Sequence, residues 1–273
     1  MIRLVSSGTD TVRIEVDEHV GIITFTRPER RNALHDEMYA PMMDAIENFA
    51  ADPEVGCVVI TGDGSAFCAG GDVRDGSGRR ADGSRPSPEE RASNLAAHGR
   101  LSVVLHEAPI PTIAAVNGPA VGAGMSIALA CDLRIAAASA RFVGGWARLG
   151  FSGDFGGAWL LSRRVGPSKA FELLATNATV GAQEALRLRM VDRVEADDQF
   201  DQAWREWAAS IASGPRAAIA SMKANVLDAE RLSLGDAIVV EAQRMVASSQ
   251  TADHREAVRA WMDRRDPTFG SPA

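Results

Sequence analysis

Ala66-Phe67-Cys68-Ala69-Gly70-Gly71-Asp72 and Asn117-Gly118-Pro119-Ala120-Val121-Gly122-Ala123-Gly124 are two glycine-rich stretches that each follow a short apolar, β-branched run. The runs are Cys57-Val58-Val59-Ile60-Thr61 and Thr112-Ile113-Ala114-Ala115-Val116. Each combination reads as a strand ending in a tight turn, and the second turn is expected to open a helix at Met125. Glycine permits backbone shapes and close ligand approach that other residues forbid. Two such turns side by side aim backbone N–H groups at one oxygen, and fixed donors of that kind stabilise negative charge developing on a carbonyl or thioester oxygen. A helix N-terminus behind the second turn adds its dipole. Either turn alone is more often plain architecture; the ordered pair is the more specific signal.

Outward from these turns, Thr11 to Asp17 and Val20 to Thr26 alternate apolar and polar residues around Glu18-His19, the pattern of a β-hairpin. Asp36 to Ala51 has helical spacing, with Met38, Met42, Ile46 and Phe49 on one stripe. Strand, turn and helix alternate to about Ala138, which predicts a layered α/β core. Asp75 to Ser87 is rich in Gly, Ser, Arg and Asp and is expected to be a mobile surface loop beside the first turn. A helix is predicted over Glu89 to His106. Beyond Gly156 the pattern is mostly helical: Gly157 to Arg164, Ser168 to Thr176, Ala182 to Leu188, Gln199 to Ser213, Pro215 to Ala229, Ser233 to Ser248 and Ala252 to Arg265, interrupted by a strand at Val191 to Val194.

The chain has 273 residues, 46% hydrophobic, and a net charge of −7 without any block of like charge. That argues against nucleic acid as the main partner, because phosphate binding wants a concentrated basic surface. Cys57, Cys68 and Cys131 lack metal-type spacing and read as buried free thiols of a reducing compartment. No secretory signal and no stretch long enough to span a bilayer is visible, so a cytoplasmic setting without membrane attachment is expected. No metal or redox-cofactor motif is visible.

The two turns, together with Thr26-Arg27-Pro28-Glu29-Arg30-Arg31-Asn32-Ala33-Leu34 and Ala130-Cys131-Asp132-Leu133-Arg134-Ile135-Ala136, resemble the crotonase superfamily, the enoyl-CoA hydratase/isomerase family. The resemblance runs from about Val12 to Phe269. It implies an α/β fold: a spiral of ββα units over 1–200 holding an oxyanion hole and a CoA site, and a helical oligomerisation region over 201–273 forming a trimer or a hexamer of paired trimers. Trp204, Trp207, Ile211, Ile238, Val239 and Met245 then either face partner subunits or belong to the chain's own core. The implied substrate is an acyl-CoA thioester, with coenzyme A carried as part of it and no other cofactor.

Carried over position by position, the resemblance makes the backbone N–H groups of Gly71 and Ala123 the oxyanion donors. The family's two catalytic glutamates fall on Ser126 and Trp146, so both acids are missing and ordinary two-carboxylate hydration is in doubt. Ser126 is left with holding a water or with helix packing. The replacement candidate is Asp154, in Leu149-Gly150-Phe151-Ser152-Gly153-Asp154-Phe155-Gly156-Gly157. It also reads as a helix N-cap or a turn aspartate. Its position matches catalytic aspartates in two branches, dienoyl-CoA isomerase and 4-chlorobenzoyl-CoA dehalogenase, and the latter also has a tryptophan eight residues earlier, as Trp146 is here. Phe151 and Phe155 are expected to desolvate Asp154 and raise its pKa. Met125, Trp146, Phe151 and His98 are candidate pocket residues; His98 is one position out of register with a histidine of the dehalogenase branch and otherwise reads as a surface or core histidine. Asp72 is expected to hold its turn. Arg27, Arg30, Arg31, Ala69 and Lys223 are candidate CoA contacts, weighed against ordinary surface charge. The expected activity is acid/base chemistry by Asp154 on an enolate; nucleophilic attack by Asp154 on an aryl-CoA, and acyl-CoA or RNA binding without catalysis, are the alternatives.

Overall fold

The computed structural model describes residues 2–72 and 86–270. A seven-stranded sheet holds β1 (Ile2–Val5), β2 (Val12–Asp17), β3 (Val20–Phe25), β4 (Cys57–Gly62), β5 (Thr112–Val116), β7 (Leu133–Ala137) and β10 (Arg193–Glu195), in that spatial order. The first three strands are antiparallel and the others parallel. A second sheet of β6 (Pro119–Val121), β8 (Arg141–Val143) and β9 (Thr179–Gly181) stands beside it. The expected hairpin is β2–β3, with Glu18 in the left-handed region at φ 52°.

Side chains on a strand alternate between faces, and here both faces are covered, so the strands read as unbroken apolar runs. Val58 and Ile60 pack beneath α1 (Asp36–Ala51), α2 (Pro88–Glu107) and α3 (Ala123–Ala130). Cys57 and Val59 face the other way, against Phe200, Trp204, Ala208 and Ala212 of α7 (Phe200–Ala212). Trp204, 2% exposed, therefore belongs to the chain's own core. The three cysteines are buried and free; burial pushes the Cys68 and Cys131 thiols up to about 12.

Further helices are α4 (Gly157–Val165), α5 (Pro167–Ala175), α6 (Ala182–Arg187), α8 (Arg216–Asp228), α9 (Leu234–Ser249) and α10 (Ala252–Asp263). Neither α8 nor α9 has a fully buried residue. Ile238, Val239 and Met245 are exposed, as is Trp261 at 81%. The strand expected at Val191 to Val194 lies two residues later, because Val191 folds back on α6 and its N–H donates to the Ala185 carbonyl at 3.3 Å. The helix expected from Met125 opens at Ala123, behind the short strand β6, which lies inside the second glycine-rich stretch. Of the expected surface loop, 75–85 lies outside the described residues; Ser87 begins α2 with a capping box, accepting from Glu90 N at 3.2 Å and donating to its carboxylate at 2.8 Å. No described helix is long and apolar enough to cross a membrane.

Candidate active site

The two glycine-rich turns are laced together by main-chain hydrogen bonds. Val121 N donates to Cys68 O at 2.9 Å, and Phe67 N and Cys68 N both donate to Pro119 O at 3.1 Å. Glycine is what lets them approach. A Cβ on Gly70, at φ 84°, would stand 2.8 Å from Val121 O and 3.6 Å from Ala123 N; one on Gly124 would stand 2.3 Å from Cys68 O. The Gly71 turn and the Ala123 amide are therefore neighbours. Among the described residues neither the Gly71 nor the Ala123 N–H donates to a protein acceptor. Ala123 is the first residue of α3, where helix geometry leaves N–H groups without an internal partner.

The segment Arg27 to Leu34 braces the first turn. Leu34 N donates to Gly70 O at 2.8 Å, Asp72 N to Leu34 O at 3.1 Å, and Ala69 N to Arg31 O at 3.0 Å. The Arg27 guanidinium donates to Ala33 O at 2.6 Å and pairs with Asp72 at 3.0 Å. Buried Asn32 ties the segment to Ala66 O at 2.7 Å. Asp72 thus holds its turn, as expected. The Arg27 guanidinium serves this brace and the Ala69 N–H is taken; Arg30 and Arg31 are exposed.

Asp154 is fixed by a tryptophan. Trp146 Nε1 donates to Asp154 Oδ1 at 3.0 Å, and the same nitrogen lies 3.8 Å from where a Cβ on Gly122 would be. That indole connects the carboxylate to the residue preceding Ala123. Asp154 is not the N-cap of α4; that place is taken by Gly156, without a side-chain cap. Ser126 Oγ, fully buried, points at the Asp154 and Gly122 carbonyls at 3.3 Å each. It therefore tethers the loop to the start of α3. A Cβ on Gly157 would fall 2.4 Å from the Trp146 ring and 2.6 Å from Ser126 Oγ, so this corner closes only around glycine. Desolvation raises the Asp154 pKa, and the hydrogen bond from Trp146 pulls it partly back.

The aromatic surroundings differ from the expectation in one respect. Phe155 is buried, but Phe151, which follows the left-handed Gly150 (φ 72°), is 59% exposed. Tyr39, which the sequence reading passed over within the α1 stripe, stacks on His98 with centroids 4.0 Å apart and planes at 16°, and lies 5.8 Å from Phe155. His98 so enters the site through Tyr39 and pairs with Asp36 at 3.9 Å. Met125 lies in the core among Phe142, Leu161 and Leu174. Lys223, 8% exposed at its side chain, pairs with Asp132 at 2.7 Å and donates to Ile110 O at 3.1 Å and Leu105 O at 3.4 Å. With its three hydrogens directed at these acceptors it fastens α8 to the core.

The family model described as enoyl-CoA hydratase/isomerase matches residues 15–272. The chain is 36% identical over 259 residues to a probable enoyl-CoA hydratase of Rhodobacter capsulatus, covering 95% of this chain and 97% of that one. It is 32% identical over 252 residues to 4-chlorobenzoyl coenzyme A dehalogenase-1 of an Arthrobacter species, covering 89% and 87%. Among solved structures, an enoyl-CoA hydratase from Polaromonas superposes with a TM-score of 0.87 at 32% identity, over 94% of this chain and 98% of that one. The chain belongs to the enoyl-CoA hydratase/isomerase family and has the crotonase fold.

Proposed function

We propose that the substrate is an acyl-CoA thioester, that its oxygen is held by the Gly71 and Ala123 N–H groups, and that Asp154 carries the proton. The observation that carries this reading is the Trp146–Asp154 hydrogen bond, whose indole also abuts the turn before Ala123. It supports the reading by joining a partly desolvated carboxyl to the turn before Ala123. The carboxylate takes a proton from a carbon next to the thioester, the enolate oxygen gains preformed donors, and the same carboxyl returns the proton at another carbon. Double-bond migration needs no second acid, which fits the serine and tryptophan at the family's glutamate positions. Removing one such donor typically costs ~2.7–4 kcal/mol of transition-state stabilisation.

Coenzyme A enters as part of the substrate, with exposed Arg30 and Arg31 as candidate phosphate contacts. The exposed apolar side chains of α9 and α10 favour a trimer or hexamer, and the setting proposed is cytoplasmic. The test is a 3-enoyl thioester in deuterated water: the conjugated isomer forms with solvent deuterium, and Asp154→Asn abolishes the reaction. Full turnover by Asp154→Asn defeats the reading.

A second reading is favoured by the same hydrogen bond, which occupies Oδ1: Oδ2 attacks a halide-bearing ring carbon of an aryl-CoA, the halide leaves, and water then cleaves the aryl ester at the Asp154 carbonyl. Single turnover in heavy-oxygen water then gives unlabelled product, and repeated turnover labels Asp154. Label in the first product removes this alternative.

A further inference from the structure

Tyr39 is the chain's one tyrosine, and the mechanism above makes no use of it. Tyr39 is nearly enclosed, at 7% exposure, yet among the described residues its hydroxyl has no hydrogen bond to the protein and is not one of the fully buried polar atoms without a partner, so it keeps an opening. Buried tyrosines usually find a partner for that group. The ring is fixed on both sides, stacked on His98 at 4.0 Å and set 5.8 Å from Phe155, the neighbour of Asp154. Tyr39 lies one turn into α1, just past Leu34, whose N–H donates to Gly70 O at 2.8 Å. Burial, followed by the nearby Cys68, Asp36 and Asp154, raises the phenol's pKa. It keeps its proton at neutral pH and acts as a donor, not a base. The ring is therefore set against the loop that carries Asp154, on the helix that follows the brace of the Gly71 turn.

We infer that the Tyr39 hydroxyl is a substrate-facing hydrogen-bond donor that selects acyl groups bearing an oxygen close to the reacting carbons. The inference rests on the acyl-CoA reading. With the thioester oxygen at Gly71 and Ala123 and the adjoining carbons at Asp154, a donor on a ring set against the Asp154 loop meets the acyl chain at the same carbons. A hydrocarbon chain leaves the phenol unpaired, while a hydroxyl or keto oxygen satisfies it. A site built to hydrogen-bond a substrate oxygen discriminates against the analogue that lacks it.

Calorimetric titration with 3-hydroxybutyryl-CoA and butyryl-CoA tests this on wild type and Tyr39→Phe. Wild type is expected to prefer the oxygenated thioester by roughly tenfold, the scale of one net hydrogen bond. Tyr39→Phe should bring that preference close to unity without changing butyryl-CoA affinity. Absence of preference in wild type, or its persistence in Tyr39→Phe, overturns the assignment while leaving acyl-CoA binding intact. Failure of wild type to bind either thioester overturns the acyl-CoA reading and this inference with it. Tyrosine labelled with carbon-13 at Cζ gives one resonance, which 3-hydroxybutyryl-CoA shifts and butyryl-CoA does not. A resonance that stays fixed in saturated wild type overturns the inference without recourse to the variant.

Discussion

Trp146 and Asp154, eight positions apart, share a 3.0 Å hydrogen bond that ties the 3-10 turn at Ala147–Leu149 to the mouth of α4. A hydrogen bond to a charged group contributes about 1.5–3 kcal/mol, and this one favours the ionised carboxylate. Trp146→Phe retains most of the ring and removes the N–H. The acid limb of the kcat/KM profile should then move to higher pH by about one unit, measured with any turned-over thioester. An unmoved limb would mean that Asp154 does not set that limb.

Asp154→Asn separates activity from stability. Its carboxyl has a raised pKa in the folded chain, so between the unfolded and folded pKa values the native state binds more protons than the unfolded state. Stability contributed by this group is full below the unfolded pKa, about 3.9, and is lost as pH rises through the folded value. The amide can still accept from Trp146. Asp154→Asn should therefore be inactive yet melt at or above the wild-type temperature at pH 7–8, with the difference vanishing near pH 4. A lower melting temperature at pH 8 than at pH 4, relative to wild type, contradicts this sign.

Gly124→Ala and Gly71→Ala form a contrasting pair. A Cβ at 124 meets the Cys68 carbonyl at 2.3 Å, whereas one at 71 meets nothing within 4 Å among the described residues. Urea denaturation should show a loss of about 1–3 kcal/mol for Gly124→Ala, the usual range for overpacking. Gly71→Ala should keep wild-type stability while raising KM for the thioester, since its methyl projects into the open space where the carbonyl is proposed to sit. Equal stability of the two variants contradicts the packing argument.

Lys223→Met removes one partner of a largely buried ion pair and leaves Asp132 beside two carbonyl groups. Breaking buried pairs in this way costs about 3–5 kcal/mol, and the partial exposure of Asp132 puts this case at roughly the lower bound. Denaturation should show that loss, with KM for acyl-CoA unchanged at a temperature where the variant is folded. A selective rise in KM would support the nucleotide-contact reading.

The parallel strands and α1 were legible because both sheet faces are buried, so Val58-Val59-Ile60 and Ile113-Ala114-Ala115 show as unbroken apolar runs. The strands β6, β8 and β9 span three residues each, too few for any periodicity to emerge. The pairing of the two glycine-rich turns was legible from their order and flanks, and the tryptophan–aspartate spacing from family resemblance. The hydrogen bond itself was not, since it depends on the left-handed glycines at 150 and 156. The ion pairs of Arg27 and Lys223 were not legible, because a cation in a loop or on a late helix carries no mark of the carboxylate it will meet 45 or 91 positions away. Tyr39 was hidden by its apolar neighbours Met38 and Met42; that it is the chain's one phenol was the available clue.

The closeness of Gly157 to Ser126 Oγ and the Trp146 ring has a consequence for engineering a hydratase from this chain. Grafting a glutamate at 126 alone would drive three extra heavy atoms into a corner already filled to contact. The carboxylate would have to displace the indole that anchors residue 154, so gaining one acid would misplace the other. Conversion to the two-glutamate form thus demands coordinated replacement of 126, 146 and the 154–157 bend, a change that no single step can deliver.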